Sequence, residues 1–232
     1  MLDTAFERPP GDVGNPASWA MPVLYRRIPG ATARKVVDGT DADLVDAFVA
    51  AGEALAREGA AALITSCGFL AARQHDLAQR LSVPIATSSL LMIPVLGRTL
   101  PRGGRVGVVT YDTAALTDRH FEAVGADPTT PIAGLPPNGA FRQLIEGGRP
   151  YDAARLRSEV EATVGNLLNA HANIAAIVFE CTNLPPFSHA VRERFGLPVH
   201  DILTMGHWFH AGLTAPGAPR GCIQMASPVA TI

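Results

Sequence analysis

Short apolar runs that alternate with amphipathic stretches constrain the fold of this chain more than any other feature. Five runs read as strands: AALIT (61–65), VPIAT (83–87), RVGVVT (105–110), IAAIVF (174–179) and LPVHDIL (197–203). They are short, rich in Val and Ile and mostly continuous, as in parallel strands covered on both faces, rather than alternating as in a half-exposed sheet. Between them apolar residues recur at helical spacing. Leu44, Phe48 and Leu55 share one face, and Leu156, Val160, Val164, Leu167 and His171 share another. Strand and helix in alternation predict an α/β fold with helices on both faces of mainly parallel sheets.

The segment PTTPIAGLPPNGAF (128–141), with GGRP (147–150) after it, is dense in turn residues. Crossings between two lobes are therefore expected near 95–103 and 134–150. The expected division is a first lobe over 1–100, rejoined by 203–232, and a second lobe over 101–202. No exact repeat is present, yet an architectural one is: strand, then Ser or Glu, then Cys, then helix, once in each half. Only Met1 and Leu2 supply an opening apolar strand. Either several of its residues are missing at the start, or the first lobe relies on YRRI (25–28).

Composition removes several function classes. The chain has 19 Lys and Arg against 21 Asp and Glu, a net charge of -2, so charge gives no reason to expect nucleic acid or an anionic membrane as partner. Three cysteines make no disulfide framework at 232 residues, which points to a reducing, cytoplasmic setting. No Cys and His spacing resembles a structural zinc site, so no metal is expected. LLMIPVL (90–96) is far shorter than a membrane span, and no secretion-signal pattern is present.

The chemistry concentrates on two segments, LITSCGFL (63–70) and IVFECTNLPPF (177–187), each an apolar run leading into a cysteine. Ligands of open α/β sheets bind beyond the carboxyl ends of the strands, where Cys67 and Cys181 are expected. A helix N-terminus beside each would lower the thiol pKa and make a base, nucleophile or metal ligand. The competing reading is that free cysteines are small hydrophobes common in cores. Recurrence at matching positions in both halves argues against it.

Thr65 and Ser66 before the first thiol, and Thr182 and Asn183 after the second, can hold a carboxylate or a thiolate without adding charge. Glu180 is either a substrate-positioning or charge-tuning carboxylate or a partly exposed glutamate. Pro185 and Pro186 fit the first turn of a helix capped near Asn183. The loop GDVGNPASW (11–19) is either an anion-holding turn of exposed N–H groups, with Asn15 its best carboxylate ligand, or an ordinary surface turn. Cys222 reads as a small core residue. His207 and His210, one turn apart, read as helix residues rather than a metal pair.

SCGFL and ECTNLPP, together with the N-terminal Gly/Asn loop, resemble the aspartate/glutamate/hydantoin racemase superfamily. The resemblance implies two similar Rossmann-like lobes related by a pseudo-two-fold axis, with the substrate between them. It further implies catalysis by Cys67 and Cys181 without pyridoxal phosphate or another cofactor, and a homodimer. Cys181 and Thr182 fall on the cysteine and threonine of the family's second motif. The first motif departs: Gly68 and Phe69 stand where Asn and Thr are usual, and Asn183 stands where an acidic residue or histidine is frequent. Phe69 either faces an apolar or ring-bearing substrate or packs under the helix.

The substrate-binding residues so implied are Asn15, Ser66, Gly68, Phe69, Tyr111, Thr113, Thr182 and Asn183, with Asp3 and Thr4 as weaker members; Thr113 alternatively caps a helix. The expected activity is racemisation or epimerisation of an amino acid or related carboxylic acid. A proton leaves one face of Cα and returns on the other, between sulfurs roughly 7 Å apart. The alternatives are a malonate-type decarboxylase, a maleate-type cis-trans isomerase, or a non-catalytic protein that binds a small acid.

Overall fold

The structure, a computed structural model, describes residues 1–213 and 229–231. In chain order the elements are β1 (Val23–Tyr25), α1 (Ala33–Val37), α2 (Val45–Arg57), β2 (Ala62–Ile64), α3 (Gln74–Arg80), β3 (Ile85–Ala86), α4 (Ile93–Thr99), β4 (Arg105–Thr110), α5 (Asp118–Glu122), β5 (Ile132–Gly134), α6 (Ala140–Ile145), α7 (Ala153–Ala170), β6 (Ile174–Phe179), α8 (Ser188–Phe195), β7 (Val199–His200), α9 (Ile202–Leu213) and β8 (Val229–Thr231). The strands form two four-stranded parallel sheets. One has the order β1-β8-β2-β3 and the other β5-β4-β6-β7. Two parallel sheets flanked by helices are the two-lobed α/β architecture that the alternating pattern predicts.

The strongest sequence signals became the central elements. RVGVVT and IAAIVF are β4 and β6, paired in register from Val106 with Ala176 to Val109 with Phe179. Gly107 interrupts the first run because a Cβ there would lie 2.7 Å from Ile174 and 3.0 Å from Leu167. The sheet is covered that closely by α7, which buries Leu156, Val160, Val164 and Leu167. The face of α2 carrying Phe48 and Leu55 is buried likewise.

Three expectations are corrected. The run 197–203 supplies only the two residues of β7, because the Asp201 carboxylate accepts from Thr204 N at 2.9 Å and starts α9. The proline-rich stretch read as a crossing contains β5, whose Ile132 pairs with Val108. The short first-lobe strand is Val23–Tyr25 and shares only Tyr25 with the YRRI segment.

The sheets meet at the carboxyl ends of β2 and β6. Ser89 Oγ donates to Phe179 O at 2.6 Å, and Thr182 Oγ1 donates to Ser66 O at 2.7 Å. Both cysteines belong to one buried apolar cluster fed by both lobes. Among the described residues no helix is long and apolar enough to cross a membrane.

Candidate active site

Beyond β2 the chain runs through Thr65 and Ser66 to Cys67, which precedes a 3-10 turn at Gly68–Arg73. Beyond β6 it runs through Glu180 to Cys181, followed by a 3-10 turn at Pro185–Phe187 that leads into α8. Matching strand-to-helix junctions thus bring the two thiols to the same seam. Both are free and buried, and both line one cavity of about 40 Å³. Ser66, Gly68, Phe69, Tyr111, Thr182 and Asn183 line it as well. So do Glu180, Thr4 and Arg8, and α1 closes it with Ala33 and Val37.

Glu180 dominates the electrostatics. Its side chain is fully buried; Oε2 accepts from Thr110 Oγ1 at 2.8 Å, and Oε1 has no hydrogen-bond partner among the described residues. Burial outweighs the Thr110 and Tyr111 hydrogen bonds and pushes the carboxyl up to about 7. Burial and then the charge of Glu180 push Cys67 up to about 12, and the same two causes raise Cys181 well above the ordinary thiol range. This corrects the expectation of thiols activated by helix N-termini. The N–H groups of Phe69 and Asn183 do favour the thiolates, but each belongs to a short turn, and desolvation outweighs them.

Gly68 is explained by the same carboxylate. A Cβ there would lie 2.1 Å from Glu180 O and 2.3 Å from Glu180 Oε1. A side chain at this position, where the resemblance would put asparagine, is excluded by Glu180.

A polar chain leads from the rim to the second thiol. Arg8 donates to Thr4 Oγ1 at 2.8 Å and pairs with Asp12 Oδ1 at 2.7 Å. Asp12 Oδ2 accepts from Asn183 Nδ2 at 2.8 Å, and Asn183 Oδ1 lies 3.8 Å from Cys181 Sγ as its acceptor. Arg8 also stacks 4.6 Å over the Phe6 ring. On the opposite side Tyr111 donates to Glu146 Oε1 at 2.7 Å beneath the Arg142 guanidinium.

Two implied substrate ligands lie elsewhere. Asn15 is not at the cavity: it caps the turn at Pro16–Ser18 through Ala17 N and donates to Arg8 O. Four N–H groups of the surrounding loop are committed within it rather than open to an anion. Gly11 N donates to Ser18 Oγ, Asp12 N to Pro9 O, Gly14 N to Asp12 Oδ1 and Asn15 N to Asp12 O. Thr113 is exposed and packs toward Gly134, while Asp112 caps the turn there through Ala114 N.

Other candidates also have local tasks. Asp3 accepts from Gly30 N outside the cavity. His207 donates from Nδ1 to Leu203 O, and His210 lies on the same helix away from the cavity. Cys222 is outside the described residues. Among these no group of three or more His, Cys, Asp and Glu could hold a metal ion.

Arg8 and the burial of Glu180 were not anticipated. The available signals were an Arg four residues before Asp12, and a lone carboxylate wedged between a fully apolar run and a cysteine.

No family model matches the chain. Among characterised proteins, a dimethylsulfoniopropionate lyase from Durusdinium sp. clade D is 31% identical over 219 residues, covering 91% of this chain and 72% of that protein. Dimethylsulfoniopropionate lyase 7 of Emiliania huxleyi (strain CCMP1516) is 31% identical over 225 residues, covering 90% of this chain and 64% of the relative. Among solved structures, arylmalonate decarboxylase aligns with a TM-score of 0.51 at 20% identity, over 78% of this chain and 79% of the other. Glutamate racemase from Campylobacter jejuni aligns at 0.52 and 13% identity, over 90% and 80%. The chain belongs to the family of these dimethylsulfoniopropionate lyases. The structural likenesses speak for the fold alone, and the likeness to the lyases extends along nearly the whole chain.

Proposed function

We propose that the chain is a lyase that removes a proton from the carbon beside a carboxylate and expels a β-substituent, with dimethylsulfoniopropionate as the type substrate. The observation that carries this reading is the 31% identity to a dimethylsulfoniopropionate lyase over 91% of the chain. The racemase expectation therefore becomes the second reading.

In the proposed reaction a cysteine thiolate takes the Cα proton. The electron pair left behind forms the Cα–Cβ double bond, the Cβ–S bond breaks, and its pair leaves with sulfur. An α,β-unsaturated acid and a neutral sulfide result, and the proton passes from the thiol to solvent. Elimination needs a base on one face of Cα only, so one of Cys67 and Cys181 suffices. Arg8, which lines the cavity, and the Ser66 hydroxyl hold the carboxylate as negative charge builds on it. Phe69 and Tyr111 supply apolar walls for the substituent. The superfamily's homodimer is carried into the proposal, and light scattering on the purified chain checks it.

Racemisation retains one specific support, which is that both thiols line the cavity. The test is to supply dimethylsulfoniopropionate and measure dimethyl sulfide in the headspace and acrylate in solution. Aspartate, glutamate and an arylmalonate are run in parallel for loss of optical activity and release of carbon dioxide. Sulfide release supports the lyase. Racemisation of an acid without sulfide release refutes it in favour of the second reading.

A further inference from the structure

Glu180 is an anomaly that the proposed elimination does not use. It is fully buried, lines the cavity beside both thiols, and leaves Oε1 without a partner among the described residues. An ionised carboxylate is rarely left in such a place without a cation, because desolvation without pairing is costly. The one arginine that lines the cavity among the described residues, Arg8, is paired with Asp12 and Thr4. Gly68, by having no side chain, lets Oε1 stand where a Cβ would otherwise be.

We propose that Glu180 is a specificity-determining residue: its buried, unpaired carboxylate takes the cationic tail of a carboxylate-bearing substrate and disfavours neutral-tailed acids of the same shape. This rests on the lyase reading and names the feature of the substrate to which the site responds. Arg8 at the rim and Glu180 within are two opposite charges that suit a zwitterion. The rings of Phe69 and Tyr111 line the same cavity and accept a polymethylated cation, which has no N–H groups to satisfy. A neutral tail desolvates the carboxylate and gives it nothing in return.

The preference is pH-dependent with a defined sign. Burial brings the carboxyl up to about 7, so it is charged above that value and neutral below it. The other groups facing it are the two thiols and the Tyr111 hydroxyl, all raised by burial and silent in this range, and the Arg8–Asp12 pair. His120 packs edge-on to the far side of Phe69 and titrates below its ordinary range, again because of burial.

The test is calorimetric binding to the full chain of 3-(trimethylammonio)propanoate and of its neutral isostere 4,4-dimethylpentanoate, neither of which has a sulfide to lose. At about pH 8 the cationic acid is expected to bind about tenfold or more tightly than the isostere, and at about pH 6 the ratio falls severalfold. Glu180→Gln should bring the ratio to within about twofold at both pH values. A wild-type ratio near one at both pH values overturns the assignment, as does a preference that survives in Glu180→Gln. The wild-type pair decides the matter even if the variant does not fold. Sulfide release from dimethylsulfoniopropionate, measured on the same protein preparations, separates the two proposals. Tail preference without sulfide sinks the elimination and leaves Glu180 as assigned, whereas sulfide without tail preference sinks only the assignment.

Discussion

Gly68→Ala is the smallest substitution that the site geometry forbids. The added Cβ would lie 2.1 Å from Glu180 O, 2.3 Å from Oε1 and 2.8 Å from Cδ, whereas non-bonded atoms settle at roughly 3.5–4.0 Å. The carboxylate could swing aside, but the carbonyl belongs to the backbone at the end of β6, where Glu180 N is bound to Val109 O at 2.9 Å. Relief therefore requires one sheet to move against the other. Overpacking of a tight core costs about 1–3 kcal/mol, and contact with fixed backbone puts this case at or above the upper end. At about 3 kcal/mol a chain of this size loses roughly 6–12 °C in melting temperature. Glu180→Ala combined with Gly68→Ala removes the side-chain contacts and keeps the backbone one, so below pH 4.5, where Glu180 is protonated in the folded state and its charge costs nothing, it should recover only part of the loss. Differential scanning calorimetry of the three forms measures this. A Gly68→Ala melt within about 1 °C of wild type, or full recovery in the double variant, would refute the reasoning.

Stability should depend on pH through Glu180: the folded carboxyl stands at about 7 against 4.5 unfolded, so its contribution is present below the lower value and lost as pH rises through the upper. Wild type should lose about 3 kcal/mol relative to Glu180→Gln between about pH 4.5 and 8 in urea melts, and parallel curves would contradict it. Both thiols should alkylate slowly with iodoacetamide at neutral pH and faster as pH rises above about 9, read per cysteine by peptide mass spectrometry; rapid neutral labelling of Cys67 would show an activated thiolate instead. Arg73→Met leaves Asp41 buried without its partner, whose guanidinium reaches it at 2.8 and 3.3 Å, and should cost about 3–5 kcal/mol in the same melts. Cys67→Ala and Cys181→Ala should both fold; elimination predicts that one of them keeps measurable sulfide release, and two dead variants would favour two-base chemistry.

The parts of the fold legible in the sequence are those whose signal is local. A run such as IAAIVF declares a buried strand because all of its residues but Ala175 are buried, and α7 declares itself through four buried positions at helical spacing. The short strands β1 and β5 are half-buried along their length and carry no such run; tertiary pairing makes them strands. At the site, the cysteines were legible from their place after apolar runs. Asn15 misled because a turn rich in Gly and Asn looks the same whether its N–H groups face a ligand or its own Asp12. Arg8 and Glu180 were harder because their meaning is long-range: Glu180 acquires its character from Thr110, Gly68 and two thiols contributed by both lobes.

The charge balance of the cavity also bears on which reaction it favours. Burial and the Glu180 carboxylate both oppose a thiolate, and Cys67 stands at about 12. Something must bring a positive charge before a thiol becomes a base near neutrality. A unit cation about 4 Å away at an effective dielectric of about 20 contributes roughly 4 kcal/mol, or about three pKa units, enough to bring Cys67 toward the ordinary thiol range. On the proposed reading a sulfonium tail supplies that charge as it enters, so the base forms only when there is a proton for it to remove. It also neutralises Glu180, lifting the second opposition. A neutral-tailed acid brings its own negative charge and no cation, and leaves both thiols protonated. A racemase working on such an acid would have to generate a thiolate against burial and Glu180 together, whereas the elimination draws its activation from the substituent that it expels.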